Sequence, residues 1–114
     1  MTARRQNRGP GLSRIRSVTG GLVLSGSVSL ERVAGRLGTS PRTVQRRLRE
    51  HGLCFRDIVE GSRLEIAGAL LRETNLSIQE ISCRLGYAAP NAFTRAFARW
   101  NGLTPRAYRR ASNK

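Results

Sequence analysis

The chain has 114 residues, enough for one domain or two very small ones, since a single core is usually built from about 100 to 150 residues. Basic residues number 21 against 7 acidic ones, and the resulting +14 repels itself unless a polyanion or salt screens it, so nucleic acid is the partner that composition points to. A large multidomain enzyme is excluded, and so is a membrane span, because no apolar run approaches the roughly 18 to 20 residues a bilayer requires.

Residues 1 to 12, MTARRQNRGPGL, mix Arg, Gly and Pro without apolar periodicity and read as a flexible basic arm or a linker remnant. No apolar h-region follows Arg4, Arg5 and Arg8, so they do not open a signal peptide, and a cytoplasmic location is expected. From Ser13 to about Leu24, Ile15, Val18 and Leu22 have helical spacing. Gly20 and Gly21 each cost about 1 kcal/mol relative to Ala in a helix interior, so this helix is expected to be the least stable.

Ser29 is an N-cap candidate, and Leu30, Val33, Ala34 and Leu37 make one helical stripe that Gly38 should end by turning left-handed. Ser40 caps the next helix with Pro41 at its first position, and Val44 and Leu48 are its core residues. The longest helix is predicted from Phe55 to about Glu73, with Asn75 closing it. Phe55, Ile58, Val59, Ser62, Ile66, Ala69 and Leu70 lie on one face and Leu64, Ala67 and Leu71 on part of a second, as in a connector buried between two partners. Gly61 and Gly68 inside it suggest close helix approach.

The first pattern then recurs. Ser77, Ile78, Ile81, Ser82, Leu85 and Gly86 repeat Ser29, Leu30, Val33, Ala34, Leu37 and Gly38 at an offset of 48, and Pro90, Phe93, Arg95 and Phe97 repeat Pro41, Val44, Arg46 and Leu48 at an offset of 49. Two copies are too few for a solenoid and read as a duplicated helix-turn-helix. Thr104 and Pro105 open a last short helix anchored by Tyr108. The expected organisation is a basic arm (1–12), a first helix-turn-helix subdomain (13–53), a linker helix (54–75) and a second such subdomain (76–112).

In a helix-turn-helix the second helix enters the major groove, which demands an exposed polar face. Opposite Val44 and Leu48 lie Arg42, Gln45, Arg46 and Arg49; opposite Phe93 and Phe97 lie Asn91, Thr94, Arg95 and Ala98. Arg pairs with guanine, Asn and Gln with adenine, and Thr with a methyl group or an acceptor, so these are residues that read bases. A solvated face with no such role is the plain alternative, and its appearance in both copies on so basic a chain argues against it. A connector of about 20 residues is roughly 30 Å long, close to the 34 to 36 Å of one B-DNA turn, so two recognition helices could enter successive major grooves. Candidate phosphate contacts are the helix starts at Ser40 and Thr104 together with Arg56 and Arg106, with Arg32, Arg84, Arg99 and Arg109 as further choices. The aromatics Phe93, Phe97, Trp100 and Tyr108 are read as core rather than as stacking platforms.

Cysteine and histidine counts leave little room for other chemistry. Cys54 and Cys83 lack CxxC spacing and only His51 could join them, so no four-ligand zinc site can be assembled from thiolates and imidazoles; both thiols are expected reduced, in or near the core. A Ser-His-Asp arrangement would have to use His51 and Asp57, six residues apart across a helix end. No catalytic residue, cofactor or metal is expected.

The stretches SLERVAGRLGTSPRTVQRRLREHG and LSIQEISCRLGYAAPNAFTRAFARWNGLTPRAYRR resemble the DNA-binding domain of AraC/XylS-type transcriptional regulators, over about residues 13 to 110. Phe93, Arg95, Phe97, Trp100, Gly102, Pro105 and Tyr108 carry the most specific part, and Arg63, Ala67, Leu70 and Leu71 match in the linker helix. Ser82 stands where the family mostly has Ala, and Tyr87 where it mostly has Phe. The resemblance implies an all-α domain of seven helices, two helix-turn-helix subdomains joined by a long linker helix, binding double-stranded promoter DNA and usually activating transcription. It also implies base contacts at Arg42, Gln45 and Arg46 on the first recognition helix and at Asn91, Thr94 and Arg95 on the second. RNA polymerase is an implied further partner, and a monomer is expected unless an N-terminal domain dimerises the protein. The competing expectation is a basic helical protein that binds nucleic acid without sequence preference, and discrimination between related duplexes separates the two.

Overall fold

The computed structural model describes residues 9–113, so Arg4, Arg5 and Arg8 of the expected arm, and Lys114, lie outside the described residues. Among the described residues there are seven helices and no strand: α1 Leu12–Ser25, α2 Leu30–Arg36, α3 Pro41–Glu50, α4 Phe55–Glu73, α5 Ile78–Arg84, α6 Pro90–Asn101 and α7 Pro105–Ser112. They divide into two units, Met1–Ser62 and Arg63–Lys114, with the boundary inside α4.

In the first unit, Ile15 and Leu22 of α1, Val33 and Ala34 of α2, Val44 and Leu48 of α3 and Ile58 of α4 form one buried cluster. Thr19 is buried in α1 beside them, and its hydroxyl donates to the Ile15 carbonyl at 2.7 Å, so burial leaves its oxygen partnered. Two expectations for the start of the chain are corrected. Helix α1 begins at Leu12, and the segment before it is not all free arm: Pro10 is buried and its carbonyl accepts a hydrogen bond from Arg47 Nε at 3.0 Å. A proline has no N–H to satisfy, so it enters an apolar contact at little polar cost.

The turn between α2 and α3 follows from its residues. Ser29 Oγ accepts the N–H of Arg32 and fixes the start of α2. At its end Gly38 takes φ 72, and the N–H groups of Gly38 and Thr39 return to the carbonyls of Gly35 and Ala34, the paired bonds of a Schellman motif. A side chain at Gly38 would oppose that left-handed backbone. Ser40 Oγ then accepts the N–H of Thr43, and Pro41 starts α3 as expected.

The second unit repeats the frame with other filling. Ser77 Oγ accepts from the N–H of Glu80 while Glu80 Oε1 accepts from the N–H of Ser77, a complete capping box. Gly86 takes φ 87, and the N–H groups of Gly86 and Tyr87 return to the carbonyls of Cys83 and Ser82, as in the first turn. The core gathers Leu64, Ala67 and Leu71 of α4 with Ile81, Leu85, Phe93, Ala96 and Phe97. Phe97 lies 5.9 Å from Phe93 and 5.3 Å from Tyr108 between ring centroids, the latter pair edge to face. Trp100 departs from the core expected for it: its ring centroid lies 5.7 Å from that of Phe97, yet the residue, in the last turn of α6, is 46 % exposed.

The end of α4 also differs from expectation. The helix stops at Glu73, and Thr74, not Asn75, follows it with its hydroxyl on the Leu70 carbonyl at 2.7 Å. Arg109 of α7 completes the end, donating from Nε to the Leu71 carbonyl at 3.0 Å and from Nη2 to the Thr74 carbonyl at 3.1 Å. These satisfy carbonyls a helix end otherwise leaves without partners, and they place a cation where the helix dipole favours one. The close approach expected at the glycines of α4 is corrected: a Cβ at Gly68 would meet the Tyr108 hydroxyl at 3.6 Å, an ordinary van der Waals contact, and nothing stands within 4 Å of one at Gly61, so neither position requires a glycine for space.

Both cysteines are exposed, against the expectation of a core position. Cys83 falls outside the Ile81, Ser82 and Leu85 stripe of α5. Cys54 precedes α4 and uses polar contacts instead: its N–H donates to Asp57 Oδ2 at 2.9 Å and its Sγ to the same oxygen at 3.2 Å.

Candidate nucleic-acid interface

On α3 the buried pair Val44 and Leu48 fixes the helix's rotation, and the four residues singled out from the sequence, Arg42, Gln45, Arg46 and Arg49, are all exposed on the far side. Their spacing of three and four residues makes them neighbours on one surface. Arg47 is turned away from that set. Its Nε holds the Pro10 carbonyl and its Nη1 pairs with Glu50 at 2.9 Å, so the guanidinium is committed within the protein.

On α6 the buried residues are Phe93, Ala96 and Phe97, leaving Asn91 and Arg95 exposed and Thr94 half-buried. The N-cap of this helix is Ala89, in the extended conformation a cap requires but with no side-chain acceptor. Thr94 and the start of α7 converge: Thr94, Thr104, Pro105 and Arg106 line one open depression with Ile78. Thr104 Oγ1 accepts the N–H of Ala107, and Arg106 is exposed in the first turn of α7. In the first unit Gln45 and Arg49 line a second depression with Cys54 and Phe55, while Ser40 and Arg56 are exposed at the starts of α3 and α4.

The further choice of Arg109 as a phosphate contact is corrected, because its guanidinium is engaged at the end of α4. Sequence reading missed that role, since the bond joins residues 38 apart, and it missed the Arg72 Nη1 bond to the Tyr108 hydroxyl at 2.7 Å for the same reason. It also missed the capping box, which the Ser77-x-x-Glu80 spacing does signal.

Two carboxylates are held below their ordinary pKa values. Asp57, ordinarily near 3.8, is lowered first by the N–H of Cys54 and then by its thiol; Glu80, ordinarily near 4.5, is lowered first by the N–H of Ser77 and then by its hydroxyl. Both groups cap helices, so the shifts report stability rather than reactivity.

A short helix, a glycine-centred turn and a second helix with one polar face, present twice, define a helix-turn-helix protein. Residues 33–111 match the helix-turn-helix domain family. An uncharacterized HTH-type transcriptional regulator of Mycobacterium tuberculosis is 45 % identical over 78 residues, covering 68 % of this chain and 23 % of that protein. Among solved structures, the DNA-binding domain of AdpA in complex with a target DNA superimposes with a TM-score of 0.65 at 30 % identity, covering 85 % of this chain and 90 % of that one. An AraC-type transcriptional regulator from Chromobacterium violaceum shares the fold with a TM-score of 0.80 at 23 % identity, covering 99 % and 98 % of the two chains.

The chain belongs to the AraC-type helix-turn-helix family. That family and these relatives are transcriptional regulators, not enzymes. The aligned region is less than a quarter of the mycobacterial relative's length. Among the described residues, no helix is long and apolar enough to cross a membrane.

Proposed function

We propose that the protein binds double-stranded promoter DNA in a sequence-specific manner, inserting α3 and α6 into successive major grooves, and activates transcription from the site it occupies. The observation that carries this reading is the twofold occurrence of one amphipathic arrangement. In each unit a Schellman turn delivers a second helix whose apolar stripe is buried, with base-reading chemistry on the other side: Arg42, Gln45, Arg46 and Arg49, all exposed, in the first, and exposed Asn91 and Arg95 with half-buried Thr94 in the second. Ser40, Arg56, Thr104 and Arg106 are the phosphate contacts that orient the two helices. One chain occupies one site unless a further domain dimerises it, and contact with RNA polymerase is the route to activation.

Selection of bound duplexes from a random pool at physiological salt tests the reading, repeated with Arg46→Ala and Arg95→Ala. The expected result is a motif of two elements about one helical turn apart, each variant relaxing only its own element. Binding that persists without a motif would instead make the protein a charge-driven binder, with the exposed arginines serving phosphate alone. Placing the selected site upstream of a reporter gene then reads the sign of regulation, and a fall in expression would make the protein a repressor.

A further inference from the structure

A recognition helix must be held to within about half an ångström for its side chains to meet base edges at hydrogen-bond distance. Burial of Val44 and Leu48 settles which way α3 faces, but apolar contact is non-directional and leaves small rolls and slides of the helix inexpensive. A directional contact stands beside that stripe. Arg47, half-buried, donates from Nε to the Pro10 carbonyl at 3.0 Å and from Nη1 to Glu50 Oε1 at 2.9 Å.

The acceptor in this pair of bonds is itself held in place. Pro10 is buried, and the chain passes so close to α3 that a Cβ at Gly9 would lie 2.9 Å from Thr43 Cγ2, a separation at which one of the two must shift. Gly9 also has φ 98, which disfavours a side chain there whatever the space. Two residues after Pro10 α1 begins, and its Ile15 and Leu22 share the buried cluster with Val44 and Leu48. The start of the described chain and α3 are therefore tied twice, by apolar packing beneath the helix and by a charge-assisted bond on its flank. Arg46 directly precedes Arg47 on the same rigid turn, so a displacement of the flank carries the exposed set with it. The second unit holds its helix otherwise: at the offset of 49 that relates α6 to α3, the position of Arg47 is taken by Ala96, which is buried and has no side-chain donor.

We propose that Arg47 is a positioning residue for the first recognition helix: oriented by Glu50 and bonded to the Pro10 carbonyl, it seats α3 for base reading without itself touching DNA. The inference deepens the proposed DNA-binding function and rests on it. Because α6 has no counterpart of Arg47, the effect is confined to the element that α3 reads.

The test compares the wild type with Arg47→Gln and Gly9→Ala, in the full chain, on the selected duplex and on two altered duplexes, one changed in the element that Arg46→Ala relaxes and one in the element that Arg95→Ala relaxes. The ratio of affinities for matched and altered duplexes does not depend on the fraction of chain that is folded, so lost stability alone cannot move it. In Arg47→Gln the ratio for the first element is expected to fall about fivefold or more, the lower end of what one well-placed base contact discriminates, with the ratio for the second element unchanged. The slope of log K against log salt should also stay as in the wild type. Gly9→Ala alters no charge and disturbs the same bond from the other side, so it should give the same one-sided loss, and the double variant should lose no more than the larger single one. A salt slope smaller by about 0.9 in Arg47→Gln would make the residue a phosphate contact and overturn the proposal. Equal losses at both elements, or no loss at the first in either variant, would overturn it as well. A wild type that discriminates at neither element defeats the functional reading before any variant is compared, and the proposal falls with it.

Discussion

The two helix-turn-helix units share a frame and little else. Each opens with a serine cap, Ser29 or Ser77, and ends its first helix on Leu-Gly, with the same pair of backbone bonds closing the turn. Their cores differ: the buried centre of the first is aliphatic side chains and alanine with Phe55 packed against it, while the second buries Phe93 and Phe97 with Tyr87 and Tyr108 against them. Their polar faces differ as well: α3 exposes three arginines and a glutamine, while α6 exposes Asn91, Arg95 and Arg99 with Thr94 half-buried among them. The frame is what the turn geometry demands, so it repeats; packing needs only matching volume, so the filling can differ between the two. On this comparison the first helix is suited more to charge-assisted contact and the second more to neutral hydrogen-bond reading.

The largest expected effect lies in the cores. Phe93→Ala should cost about 3 to 5 kcal/mol and Leu48→Ala about 2 to 5, with hydrogen exchange showing loss of protection centred on the unit that carries each change. Equal loss in both units would mean that they do not unfold separately. Next come the faces. Replacing Arg42, Arg46 and Arg49 together by Gln should reduce the salt slope of DNA binding by up to about 2.7, against up to about 1.8 for Arg95 and Arg99 together, and equal changes would remove the charge asymmetry between the two helices.

The caps offer a smaller contrast. Ser40→Ala should destabilise by about 1 kcal/mol, while Ala89→Ser, at a site already in cap geometry, should stabilise by a comparable or smaller amount, both read from urea midpoints. The least effect is on acid stability. Asp57 in the first unit and Glu80 in the second have lowered pKa values in the folded chain. Their stabilisation is present above the ordinary values of 3.8 and 4.5 and is lost as pH falls through the lowered ones. Asp57→Asn and Glu80→Gln should each flatten that decline, and a steeper one would reverse the sign.

Much of this was legible in the sequence because it depends on local chemistry. The cap serines, the left-handed Gly38 and Gly86, the prolines opening α3, α6 and α7 and the apolar stripes all act within one helix turn, and they fix which way α3 and α6 face. What could not be read acts across the fold. Arg47 looks like one more basic residue on α3, and only the packed Pro10 shows that it is occupied. Arg109 looks like a phosphate contact until the end of α4 is seen beside it. Trp100 has the helical spacing of a core residue and yet is 46 % exposed, a difference that spacing along one helix does not reveal.

The bonds from Arg109 to Leu71 and Thr74 also set an order in time. A nascent chain that has emerged as far as α6 holds every residue of the second unit's buried cluster, but it lacks the guanidinium that completes α4 and the Tyr108 ring that covers Phe97. The first unit needs nothing beyond the opening turns of α4 for its own cluster. The two copies of one motif should therefore mature unequally on the ribosome, the earlier one as soon as it is exposed and the later one only when synthesis has passed residue 109. A chain stopped at residue 104 would show this directly, protected against protease in its first unit and cut in its second.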